Sequence, residues 1–214
     1  SPESRPIDYA GDLAWINAWG PYVVWQMSST LPYQYAKRHP LMHFVAAKDV
    51  REQTDRDFQA GKRPRLMSFP QGLQGHDWVT QPEHMEMALD SFFFNRWEAS
   101  VLYFFPQGYD ARYWRAFARA TARAAKCEAF VRDGMLATDA CALVPVAEYA
   151  APCTQVSTYL PKYMNVSTLQ HVAYDIGAAR LVAALNFWDK GGAFFTLRAK
   201  GLGRGDYRVI DEEG

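Results

Sequence analysis

Two carboxyl groups, Asp77 and Asp110, stand where short apolar runs give way to helical patterns. Asp77 belongs to Gly75-His-Asp-Trp78, between the run Arg65–Gly72 and a helix start at Thr80. A carboxyl at that place can act as a general acid or bond the hydroxyl groups of a ligand, with His76 moving a proton and Trp78 offering a ring face. The alternative is that Asp77 caps the loop, His76 is a hydrogen-bonded surface group and Trp78 packs beneath the turn. Asp110 has the same two readings, and N-cap duty at the next helix accounts for it outright. Gln26, Gln71 and Gln107 sit at the ends of three apolar runs. Their carboxamides can donate to and accept from hydroxyl groups, or satisfy loop backbone. Tyr109 stacks on a ligand or plugs the loop.

Other chemistry-bearing residues point less far. Cys127, Cys141 and Cys153 show no C-x-x-C spacing, so neither a metal site nor a disulfide framework is indicated. Cys127 falls in a helical pattern and reads as a small buried hydrophobe. Trp15 and Trp19 are at helical spacing, so the N-terminal aromatics, with Trp25, Tyr33 and Tyr35, read as packing before they read as a binding platform. No cofactor is expected: Met85 and Met87 need none, and the chain lacks G-x-x-x-x-G-K-S/T, G-x-G-x-x-G after a strand, and G-x-S-x-G. Gly201–Gly205 is glycine-rich but lies between strand patterns rather than before a helix.

The elements that would position these residues repeat. Arg65–Gly72 and Val101–Gly108 both end in Phe-Pro-Gln-Gly, and Trp78 and Trp114 keep the same offset. Each unit is an apolar run, a Pro/Gly stop, a polar loop and a helical pattern, which predicts parallel strands joined by crossover helices. Thr80-Gln-Pro-Glu83 has the form of a capping box with Pro inside the first turn. Met85, Leu89, Phe92 and Phe93 then recur at helical spacing and are expected to face the sheet. From Asp110 to Gly134 the expected buried stripe is Trp114, Phe117, Ala118, Thr121, Ala125 and Val131, with Arg112, Arg115, Arg119 and Arg123 outside. Tyr22–Met27 is a third apolar run and Val50–Ala60 a third helix.

Beyond about Ala137 the helical period ends. Val156–Leu160, Thr168–Asp175, Arg180–Phe187, Ala193–Ala199 and Tyr207–Ile210 read as short strands separated by turn residues. Asp189–Gly192, between Phe187 and Phe194, is a hairpin signal. The expected fold is therefore α/β plus all-β: strand–helix units over residues 1–136, then a small antiparallel sandwich over 137–214.

Composition limits the function classes. The chain has 214 residues, 49% apolar and 21% charged, which is globular. Lys+Arg and Asp+Glu both number 23, and neither half carries the basic surplus a phosphate backbone requires, so no nucleic-acid partner is expected. No uncharged apolar run approaches the ~18 residues of a membrane span, so no membrane partner is expected either. The oligomeric state stays open.

Three strand–helix units are too few for a closed eight-stranded barrel of about 250 residues. Either they form a small open sheet, or they are the late part of a partial barrel. The chain opens on Ser1 rather than Met, which favours the second reading.

The order of parts resembles the C-terminal portion of a glycoside hydrolase, the last units of a (β/α)8 TIM barrel followed by a β-sandwich. The likeness rests on Gly61-Lys-Arg-Pro64 leading into Arg65–Gly72, the run Val101–Phe105, the helix Asp110–Gly134, and the strand patterns Ala179–Phe187 and Gly203–Val209. It implies a hydrolase acting on a poly- or oligosaccharide, secreted or periplasmic. Asp77 and Asp110 are the candidate catalytic carboxylates, and Gln26, Gln71, His76, Trp78, Gln107 and Tyr109 the candidate sugar contacts. The strand ends themselves carry Gln, not the paired carboxyl groups such hydrolysis uses. The catalytic pair is then upstream of Ser1, or the chain is a non-catalytic carbohydrate-binding or structural module.

Overall fold

The computed structural model describes residues 22–25, 41–57, 65–68, 82–100, 110–147, 167–187, 192, 194–205 and 207–209, and the account below concerns these. They divide into two compact units, with the boundary at Ala120/Thr121, inside a long helix. The protein is mixed α/β.

The first unit alternates strand and helix: β1 (Tyr22–Trp25), α1 (Leu41–Asp57), β2 (Arg65–Ser68), α2 (Pro82–Phe94), β3 (Trp97–Ser100) and α3 (Ala111–Asp133), whose first ten residues belong here. The strands form one sheet in the order β1-β2-β3, and both pairings are parallel. A parallel pair cannot be closed by a hairpin, so each connection carries a helix. The described part of the second repeat's strand is Trp97–Ser100, just ahead of the Val101–Phe105 run, which lies outside the described residues.

Helix α1 begins nine residues before the expected Val50, because Leu41, Phe44, Ala47 and Val50 already supply a buried face. Arg51 and Thr54 continue that face with polar groups. The Thr54 hydroxyl donates to the Val50 carbonyl (2.7 Å), while Arg51 is taken up below. On α2, Pro82 lies inside the first turn as expected, at its first position, and Met85, Leu89 and Phe92 are buried. Phe92 packs on the Trp97 ring at 5.2 Å between centroids, and the Trp97 indole N–H donates to the Ala47 carbonyl of α1 (3.2 Å). The turn between α2 and β3 is tight, with Arg96 at φ 61°, a left-handed conformation that lets the chain reverse within two residues.

The buried face of α3 is rotated from the expected one. Tyr113, Ala116 and Ala120 pack with Met85 and Leu89 of α2, while Trp114 is 57% exposed and Ala118, Thr121 and Ala125 face outward. Phe117 is half-buried and Val131 buried. The expected phase followed the largest side chain. The actual phase follows Ala116 and Ala120, whose small side chains let two helix backbones approach. Arg112, Arg115 and Arg119 are exposed as expected, and Arg123 is half-buried.

Gly134 ends α3. Its N–H bonds the Phe130 carbonyl (2.9 Å), and a Cβ there would stand 2.3 Å from that oxygen and 3.1 Å from Tyr174 Cβ. Any side chain would push the helix end off the following sheet.

The second unit holds β4 (Met135–Leu136), a 3-10 turn at Thr138–Ala140, β5 (Cys141–Pro145), β6 (Leu169–Ile176), β7 (Ala179–Asn186) and β8 (Phe195–Ala199). One sheet runs β4-β6-β7 and the other β5-β8, all pairs antiparallel. β6 and β7 form an eight-pair hairpin from Leu169↔Asn186 to Ile176↔Ala179, turned by Gly177 at φ 55°. A positive φ at the first of two turn residues suits glycine and matches the right-handed strand twist.

Two sequence expectations need correction among the described residues, and one strand was unexpected. β7 does not pair with β8 across Asp189–Gly192; β8 instead pairs with β5 over Cys141↔Ala199 to Pro145↔Phe195. β5 was not foreseen, since a five-residue run ending in Pro carries little periodicity and its partner is 50 residues away. Tyr207–Val209 is not a strand; the Tyr207 hydroxyl folds back to donate to the Gly203 carbonyl. The Val156–Leu160 run lies outside the described residues.

Candidate functional site

In a parallel strand–helix–strand unit, each helix starts on the side where the preceding strand ends, and ligand-binding groups collect there. The register sets Trp25, Ser68 and Ser100 level at that edge. The early turns of α2 and α3 lie side by side, held by the Met85–Leu89–Tyr113–Ala116–Ala120 cluster and by Arg119, which donates to Glu86 Oε2 from Nε (2.9 Å) and Nη2 (2.5 Å).

Asp110 is the sequence-predicted site residue that the described structure contains. Its Oδ1 accepts the Arg112 backbone N–H (2.9 Å), which makes it the N-cap of α3. The carboxylate also receives the Arg112 guanidinium, Nε at 2.9 Å and Nη2 at 2.7 Å from Oδ2. Those bonds hold the Asp110 carboxyl below its ordinary range, so it is an anion at neutral pH and a poor proton donor. Asp110→Ala should lower the thermal midpoint while Asp110→Asn, which also caps, retains most of it; melts followed by circular dichroism decide this. Its folded value is depressed, so the stability it adds is full above the unfolded value near 4 and is lost as pH falls through the folded value.

His84 is a site candidate that sequence reasoning missed. It occupies the first turn of α2 beside Glu83, half-buried, and its Nδ1 is buried without a hydrogen bond inside the protein. Burial pushes the imidazole below its ordinary value of 6.5, against the upward pull of the Glu83 charge. A helix start also disfavours a cation. The result is a neutral ring in the first turn of α2, able to donate from one nitrogen and accept at the other. Since the unfolded chain binds this proton more tightly, the stability His84 contributes is present above about pH 6.5 and falls as pH drops through the folded value. An NMR titration of the His84 ring should give a midpoint below 6.5, and His84→Gln should flatten stability against pH in that window. A His84 midpoint at or above 6.5 overturns the assignment. The signal in the sequence was a histidine directly after a capping-box Glu, at the wrong end of a helix for a cation.

Glu83 adds to the charge around Arg112, so Glu83, His84, Asp110 and Arg112 make up the polar group at the two helix starts. Gln26, Gln71, His76, Asp77, Trp78, Gln107 and Tyr109 lie outside the described residues.

The second unit has a polar cluster of its own. Arg180 of β7 makes a two-point pair with Asp175 of β6 (2.6 and 2.7 Å), donates to the Lys200 carbonyl (2.7 Å), and reaches Cys141 Sγ at 3.8 Å. His171 Nε2 lies 3.1 Å from the Cys141 carbonyl and 3.3 Å from that of Thr138, so this nitrogen carries the proton. Apart from the approach to Cys141 Sγ, these contacts satisfy backbone carbonyls or a neighbouring charge, which is the chemistry of a joint between sheets. Cys141 is buried, Cys127, expected as a small buried hydrophobe, is half-buried, and both are thiols rather than half-cystines. Among the described residues no group of three His, Cys, Asp or Glu could hold a metal ion, and no helix is long and apolar enough to cross a membrane.

The fold defines a mixed α/β protein with a parallel sheet in its first unit and antiparallel sheets in its second. Comparison with known proteins finds no matching family model, no matching curated protein and no matching solved structure.

Proposed function

We propose that this chain is a carbohydrate-active protein of glycoside hydrolase type, in which β1 to α3 are units of a (β/α)8 barrel and the strands after Gly134 belong to a small β-sandwich. The observation that supports the reading is the parallel sheet in unbroken chain order, β1-β2-β3, with level strand ends. Strands added one after another on the same side is how a barrel winds. In this reading a poly- or oligosaccharide lies across the strand-end loops. Trp78 stacks on a sugar ring, while Asp77, His76, Gln26, Gln71, Gln107 and Tyr109 meet hydroxyl groups. His84 joins them as a neutral donor and acceptor.

Tryptophan fluorescence against a panel of oligosaccharides tests this. A saturable shift in the wild type that is lost in Trp78→Ala is expected. No response to any sugar removes the carbohydrate reading.

A second reading, binding without catalysis, is favoured by one observation. The candidate catalytic carboxylate that the structure describes, Asp110, is exposed and committed to Arg112. The two readings separate on hydrolysis: a binding module releases no reducing sugar. Turnover by the wild type that is abolished in Asp77→Asn would identify a catalyst.

A further inference from the structure

We draw no further inference here: the strongest candidate, the face of the β5–β8 ribbon on which Phe195 and Leu197 are exposed, is an apolar surface for which nothing in the structure shows what covers it.

Discussion

Arg180→Met should destabilise the second unit by about 2–3 kcal/mol, the scale of lost hydrogen bonds to charged groups together with a broken, largely buried ion pair. The Arg180 side chain is 7% exposed, and its donors are spent on Asp175, on the Lys200 carbonyl and on the Cys141 sulfur. Asp175 and Arg180 face each other across the β6–β7 hairpin, whereas Lys200 follows β8 and Cys141 opens β5. One guanidinium thus ties the three-stranded sheet to the two-stranded one. Methionine keeps most of the volume but leaves the Asp175 carboxylate and the Lys200 carbonyl without their donor. Denaturant melts of wild type and variant measure the loss.

An acid titration adds a signature that mere packing would not produce. The Arg180 bonds hold Asp175 below its ordinary carboxylate value. The stability from this pair is complete above the unfolded value near 4 and disappears as pH falls through the folded one. The gap between wild type and Arg180→Met should therefore close on acidification. A gap of constant size from neutral to acid pH would show that the pair contributes through shape alone.

Local chemistry was legible in the sequence and distant pairing was not. Asp110 and Gly134 bracket α3 because a cap and a stop act within a few residues, and the helix runs Ala111–Asp133 between them. Pro82 likewise marks the start of α2. The parallel arrangement followed from the repeated strand–helix unit, since each unit needs a crossover. The β5–β8 pairing had no such marker. It joins Cys141 to Ala199, and the strong turn residues between Phe187 and Phe194 suggested the nearer partner. The phase of α3 also escaped, because two faces of that helix are apolar and only the neighbour, Met85 and Leu89, selects between them.

The candidate site divides along the same line. Asp110 was identifiable as a cap from its position, and the structure adds the Arg112 pair that fixes its charge. His84 was overlooked because its interest lies in burial, a tertiary property that a lone histidine in an amphipathic helix does not announce. Arg51 is the clearest instance. On a helix whose pattern includes Lys48, Glu52, Asp55 and Arg56, an arginine reads as solvated, yet this one is 1% exposed.

Replacing that residue, Arg51→Met, should stabilise the first unit by about 1–3 kcal/mol, the opposite sign to Arg180→Met. The Arg51 guanidinium is a cation with five N–H donors to satisfy. Its Nη2 lies 3.3 Å from Glu52 Oε1, a half-exposed neighbour in the chain that Lys48 also approaches (3.8 Å). Nε and Nη1 are buried and meet no acceptor within the protein. The desolvation cost is thus set against one long contact, whereas Arg180 is matched on every side. Methionine fills similar volume on the face formed by Phe44, Ala47, Val50 and Thr54 and carries no charge to desolvate. Urea melts of the two variants together make the comparison: a rise for Arg51→Met beside a fall for Arg180→Met is expected. A fall in both would mean that Arg51 is held by an acceptor of comparable strength, and that its charge supports the packing of α1 rather than opposing it.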